Sequence, residues 1–287
     1  MNQEAAVSEE PGNADMIGSA LWNPENTSAQ QARASAWLEE QALHPFIRET
    51  AARTFELMGL QAGEHVLDVG CGTGVLLPSF AHAVAPGGEV IGLDRSATFL
   101  EEARQRIHTR HLEAMVTFEQ GDALALPFPD ARFDVAHCER VLLHVNDPDR
   151  ALREMRRVVK PGGRVVVADL HHMGGNIDHV DPPAMRMIFE HALHAYKQPH
   201  IGLELYRRMA HAGFVDRDVR IVTTFETEFH PDEAADFTEH AAQLVAEGQL
   251  TAARVQSALH YLQEANRGGW YAAYTLMFVV FGRVPSH

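Results

Sequence analysis

The stretch EHVLDVGCGTG at residues 64–74 constrains the fold of this chain most. Val66, Leu67, Asp68 and Val69 form a short apolar run of the kind that makes a parallel strand covered on both faces. Gly70, Gly72 and Gly74 follow at alternate positions, where a flat ligand or a carboxylate can approach the main chain without meeting a β-carbon. Leu76, Leu77, Phe80, Ala81 and Val84 then share one helical face, so Gly74 stands just before a helix whose N-terminus favours a negative ligand group. A dinucleotide loop is expected to read G-x-G-x-x-G, with room for a pyrophosphate. This one reads G-C-G-T-G, with an acid two residues before the first glycine.

The chain beyond the loop repeats the strand–helix rhythm. After the turn APGG at 85–88, the strand EVIGLD ends in Asp94, placed where a carboxylate accepts hydrogen bonds from both hydroxyls of a ribose. Asp94 could instead cap the helix that follows, but Ser96 is better placed for that. A third strand at 115–120 leads to Gly121 and Asp122, a fourth runs from Phe133 to Cys138, and a fifth, RVVVADL, follows a Lys-Pro-Gly-Gly turn. Such alternation calls for a parallel sheet with right-handed crossovers. Gly70, Asp94, Asp122, Cys138 and Asp169 then all collect beyond the carboxyl ends of the strands, where ligands of such sheets bind.

The glycine loop behind Asp68 resembles the first motif of class I methyltransferases that use S-adenosylmethionine. GDALALPFPDARFDVAHCERVLLHV, residues 121–145, resembles the small-molecule branch of that family, which includes quinone C-methyltransferases and many natural-product enzymes. The resemblance runs from about residue 50 to the end of the sequence. It implies an α/β, Rossmann-like fold with a mostly parallel seven-stranded sheet, an antiparallel and edge-forming last strand, N-terminal helices and a helical acceptor-binding cover. It implies cofactor binding by Asp68, Gly70, Cys71, Gly72, Gly74, Asp94, Arg95, Asp122, Ala123 and Cys138, with Asp122 taking the exocyclic amine of adenine and the Ala123 amide facing the ring nitrogen.

The expected activity is methyl transfer from S-adenosylmethionine to a small-molecule acceptor, a secondary metabolite, at O, N or C. A quinone-type C-methyltransferase and a protein that uses the same cofactor for a non-methylating reaction such as cyclisation are the alternatives. A nicotinamide oxidoreductase would use Asp94 equally well, but this chain lacks the third spacing of G-x-G-x-x-G and carries Asp122 in its motif, which count against that reading. An acceptor hydroxyl or enolisable carbon needs a base, and His144, His171 and His172 follow the fourth and fifth strands onto the rim where the methyl group must point. His144 could equally be a loop-packing residue. Glu139 and Arg140 are placed to touch the methionine end of the cofactor or the acceptor, or to form a plain ion pair.

With 287 residues the chain has room for one large α/β domain and an extra subdomain. The expected divisions are a flexible tail over 1–25, a helical lid over 26–60, the cofactor-binding core over 61–170, an acceptor cover over 171–215 and a C-terminal completion of the sheet over 216–287. Trp37, Gln41 and His44 are lid candidates, with core packing the plainer reading of Trp37; Met185, Met187 and Phe189 read as core of the cover. A formal charge of −15 argues against a nucleic-acid partner. No apolar run approaches a membrane span and no signal peptide is legible, so a cytoplasmic protein is expected; homo-oligomer formation stays open. Cys71 and Cys138 make no disulfide framework, and no metal is expected, because the adjacent His171 and His172 would point to opposite faces of a strand.

Overall fold

In the computed structural model, which describes residues 18–23, 25–172 and 176–286, five parallel strands carry the site. They are β1 (His65–Val69), β2 (Glu89–Asp94), β3 (Val116–Gln120), β4 (Phe133–Glu139) and β5 (Val159–Leu170). Their order is β3-β2-β1-β4-β5, and Asp68 stands opposite Gly92 on one side and His137 on the other. The long hydrophobic strands are buried on both faces, as parallel sheets require. Helices α3 (Leu77–Val84) and α4 (Ala97–Thr109) return the chain between β1, β2 and β3, and α5 (Pro148–Val158) joins β4 to β5.

Beyond β5 the sheet turns antiparallel. The strand β8 (Ala273–Arg283) pairs with β5 on one side and with β7 (Val215–Glu226) on the other, and the two-residue β6 (Asn176–Ile177) also pairs with β8. The final strand was expected at the edge; it lies inside the sheet, and β7 takes the edge. The apolar run Met277 to Val280 explains this, since those residues are buried and need cover on both faces. One face packs Leu67, Val69, Cys138, Leu152, Leu205 and Val280 together; the other packs Val66, Phe80, Val84, Val166, Val222 and Val279.

The helical cover is grouped differently from the sequence divisions. Helix α7 (Ile201–His211) packs on the sheet, while α6 (Pro182–Ala192), α8 (Pro231–Ala246) and α9 (Ala252–Gly268) form a separate small core. Met185 is buried there, with Met187 and Phe189 packed against it. Apolar surface from α6 and from the later pair α8 and α9 closes this unit, so no single stretch displays it.

At the other end, Thr27 caps α1 (Ser28–Leu43) in a reciprocal box with Gln30. His44 proves to be the cap of α2 (Pro45–Met58), its Nδ1 accepting the Phe46 N–H at 3.3 Å. Proline at the first position of α2 leaves the next amide for the histidine to take. Part of the expected tail is structured too: residues 18–22 form a single 3-10 helix that puts Trp22 against Trp37 and Phe99. Residues 1–17 and Pro24 lie outside the described residues.

Candidate active site at the carboxyl edge of the sheet

The loop after β1 is shaped by its neighbours as much as by its glycines. Gly70 has φ of +75° and a β-carbon there would collide with the Val141 side chain. Gly72 has φ of +54°, and Leu38 of α1 lies 3.3 Å from where its side chain would begin. The Gly72 N–H donates to Asp94 Oδ2 at 2.9 Å, and Asp94 Oδ1 accepts the Ser96 N–H at 2.8 Å. Ser96 itself caps α4. Asp94 therefore stands at the end of β2, over the loop, each oxygen keeping a further lone pair; burial raises its pKa against the pull of these backbone donors.

Asp122 lies past the end of β3 and binds the Leu124 N–H at 2.9 Å through Oδ1, beside the buried Ala123. Arg95 is exposed next to Asp94. The Gly74 N–H closes the loop onto the Cys71 carbonyl at 2.9 Å. Cys71 and Cys138 are free thiols whose pKa burial pushes well up, so they stay protonated. Thus the sheet brings Gly70, Gly72, Asp94, Asp122 and Cys138 to one edge, as their spacing required.

Asp68 does something the sequence did not suggest. Its Oδ1 holds His137 Nδ1 at 2.7 Å, both side chains being buried, and His137 Nε2 lies 4.0 Å from Glu139 Oε2. Burial pushes the His137 pKa down, but attraction to Asp68, the hydrogen bond and Glu139 together bring it above the ordinary value. Glu139 ends β4 beside Gly70; its side chain is 7% exposed, its Oε2 has no hydrogen-bond partner, and Arg140 Nε lies 3.5 Å from its other oxygen. Arg140 has φ of +55°, an uncommon conformation for a residue with a side chain.

Of the three histidines, two meet. His144 and His172 flank Tyr196, at ring separations of 6.0 and 4.2 Å. Burial, then the nearby His172, Lys197 and Arg140, drive the His144 pKa down to about 3; burial, then His171 and His200, drive His172 to about 4. His171 stands apart, beside His200 and Phe278. Asp169, at the end of β5, is fully buried, and burial lifts it to about 7 although it accepts the Leu143 N–H at 3.1 Å and the Leu170 N–H at 3.0 Å. Among the described residues no three His, Cys, Asp or Glu side chains converge on a metal position.

Contacts between α1 and the glycine loop come from residues whose sequence signal is weak. Glu39 accepts from Thr73 Oγ1 at 2.8 Å and pairs with Arg106, which also holds the Thr73 carbonyl at 2.9 Å; Ser35 binds Glu102. Ser19 and Trp22 reach His144, the former at 3.1 Å. Their signal, small and aromatic residues in a polar leader, was too weak to read. No helix among the described residues is long and apolar enough to cross a membrane.

Comparison with known proteins agrees with this arrangement. A family model described as "Methyltransferase domain" matches residues 60–207. An uncharacterized 37.1 kDa protein in transposon TN4556 of Streptomyces fradiae is 37% identical over 242 residues, 82% of this chain and 68% of that protein. The ubiquinone/menaquinone biosynthesis C-methyltransferase UbiE of Pseudomonas aeruginosa is 40% identical over 124 residues, 43% of this chain and 48% of its own length. The match therefore spans about half of that enzyme. Among solved structures, the cyclase SpnF aligns with a TM-score of 0.54 at 24% identity, covering 92% of this chain and 86% of SpnF. The YcgJ protein of Bacillus subtilis aligns at 0.58 and 20%, covering 84% and 100%; both likenesses concern the fold. With the family model matching more than half of its length, the chain belongs to the class I S-adenosylmethionine-dependent methyltransferases.

Proposed function

We propose that the carboxyl edge of β1 to β4 binds S-adenosylmethionine and that the rim formed by residues 18–22, 142–144, 172 and 196 presents a small-molecule acceptor to it. The observation that carries this reading is the convergence of Gly70, Gly72, Asp94, Asp122 and the buried Glu139 carboxylate, whose Oε2 has no hydrogen-bond partner, at one edge. These residues suit the cofactor. The loop is kept bare of side chains, the Asp94 oxygens are open to ribose hydroxyls, and Asp122 is an acceptor for the adenine amine. Glu139 is a counter-charge for the ammonium at the methionine end. When bound, the cofactor supplies a methyl group on a sulfonium, already activated. The protein orients the acceptor in line and keeps water out, which together are worth about 7–11 kcal/mol of barrier.

Quinone-type C-methylation is favoured by the UbiE relatives, though over less than half of this chain. A cyclisation on the same scaffold is favoured only by the fold shared with SpnF. Product mass separates them: one methyl is gained in the first case and nothing in the second. The cofactor assignment is tested by calorimetric titration with S-adenosylhomocysteine beside NADH. Binding of S-adenosylhomocysteine, weakened about tenfold or more in Asp94→Ala, is the expected result; binding of NADH alone would overturn it.

A further inference from the structure

Three chain segments far apart in sequence meet around His144, on the rim proposed above for the acceptor. Residues 18–22 supply Ser19 and Trp22, the turn after β4 supplies His144, and the stretch between α6 and α7 supplies Tyr196 and Lys197. Ring centroids run from Trp22 to His144 at 5.5 Å, on to Tyr196 at 6.0 Å and to His172 at 4.2 Å. A flat, unsaturated ligand would add to this row of rings, whose members already pack on one another.

The charges around these rings have one sign. Arg140 and Lys197 act on His144; the other titratable groups acting on His144 and His172 are the imidazoles His172, His171 and His200. The nearest carboxylates are engaged elsewhere. Glu139 lies against Arg140 and toward His137, Asp169 is held by two backbone amides, and Glu204 acts on His171. An ammonium group beside the rings would meet the Lys197 cation, with Arg140 already facing Glu139 and no carboxylate among the groups acting on His144 and His172, whereas an oxygen anion would be stabilised by Lys197.

We propose that the acceptor is a planar aromatic carrying an acidic hydroxyl, methylated at that oxygen, and that Lys197 selects it over an amine. This rests on the reading of the chain as a methyltransferase. His144 Nδ1 and Ser19 Oγ share a hydrogen bond, and Ser19 Oγ also accepts the Lys197 amide at 3.3 Å; in the tautomer that donates from Nδ1, the Nε2 lone pair is kept for the acceptor. The hydroxyl proton passes to His144 Nε2. The oxygen lone pair forms the bond to the methyl carbon as the carbon–sulfur bond breaks, its electron pair remaining on sulfur, and His144 releases the proton to solvent. Burial above all makes His144 a weak base, and the cations that add to this also lower the pKa of a bound hydroxyl, so the transfer calls for an acidic one.

The test is calorimetric binding of 2-naphthol and of 2-(aminomethyl)naphthalene to the full chain saturated with S-adenosylhomocysteine. The naphthol is expected to bind roughly tenfold more tightly, and Lys197→Glu, at an exposed position, to reduce the gap to about threefold or less. Tyr196→Leu should weaken both ligands. Equal or tighter binding of the amine, no binding of either aromatic, or a gap unchanged in Lys197→Glu would overturn the acceptor class while S-adenosylhomocysteine still binds. Failure of S-adenosylhomocysteine itself to bind would overturn the methyltransferase reading and this proposal with it.

Discussion

Single residues at this site were legible where their neighbours in sequence are also their neighbours in space. Gly70, Asp94 and Asp122 lie at the ends of successive parallel strands, and register alone carries them to one edge. Ser19, Trp22 and Tyr196 were not legible, because the bond from Ser19 to His144 spans 125 residues and no local periodicity points across that distance. His44, expected as a lid candidate, caps α2 through Nδ1, a contact with a residue two positions on. Asp169 carries a prediction at this scale. Its pKa is about 7 in the folded chain against 3.8 for the free group, so between pH 4 and 7 the folded state holds a proton that the unfolded state has lost. Stability contributed by this residue therefore falls as pH rises through that window, by on the order of a few kcal/mol. In denaturant titrations Asp169→Asn should lose this part of the pH slope, and an unchanged slope would show that Asp169 ionises normally.

Elements repeat the contrast. The parallel strands and their helices follow from apolar runs and turns that the chain spells out in order. The cover of α6, α8 and α9 and the position of β8 depend on pairing across long separations, which composition does not encode. Helix α1 is the element whose stability bears most directly on the site, since it places Leu38 on the glycine loop and Glu39 between Thr73 and Arg106. Few of its residues are buried, only Ala34 and Ser35, so its capping box matters more than it would in a core helix. Thr27→Ala should cost about 1 kcal/mol. Hydrogen exchange would register this as faster opening of residues 28–43 with the sheet amides unchanged; uniform acceleration across the molecule would mean that α1 opens only with the whole domain.

At the scale of the molecule, the sheet is a parallel half that holds the proposed cofactor edge and an antiparallel half that closes it. Exposed Ile221 and Phe225 mark β7 as the outer strand, and β8 lies between it and β5. That order has a consequence in time. Synthesis delivers β5, then β7, and only last the strand that must slot between them. Until β8 emerges from the ribosome, β5 and β7 each present an unpaired edge with apolar side chains, and the growing chain is a sheet that ends at β5, with β7 unattached. A nascent chain halted before residue 273 should therefore be captured by chaperones and cleaved readily within β7, while one extended past residue 283 should resist, which arrested-chain proteolysis would reveal. For this protein the commitment to fold comes with the last strand, long after every group proposed to touch the cofactor has been made.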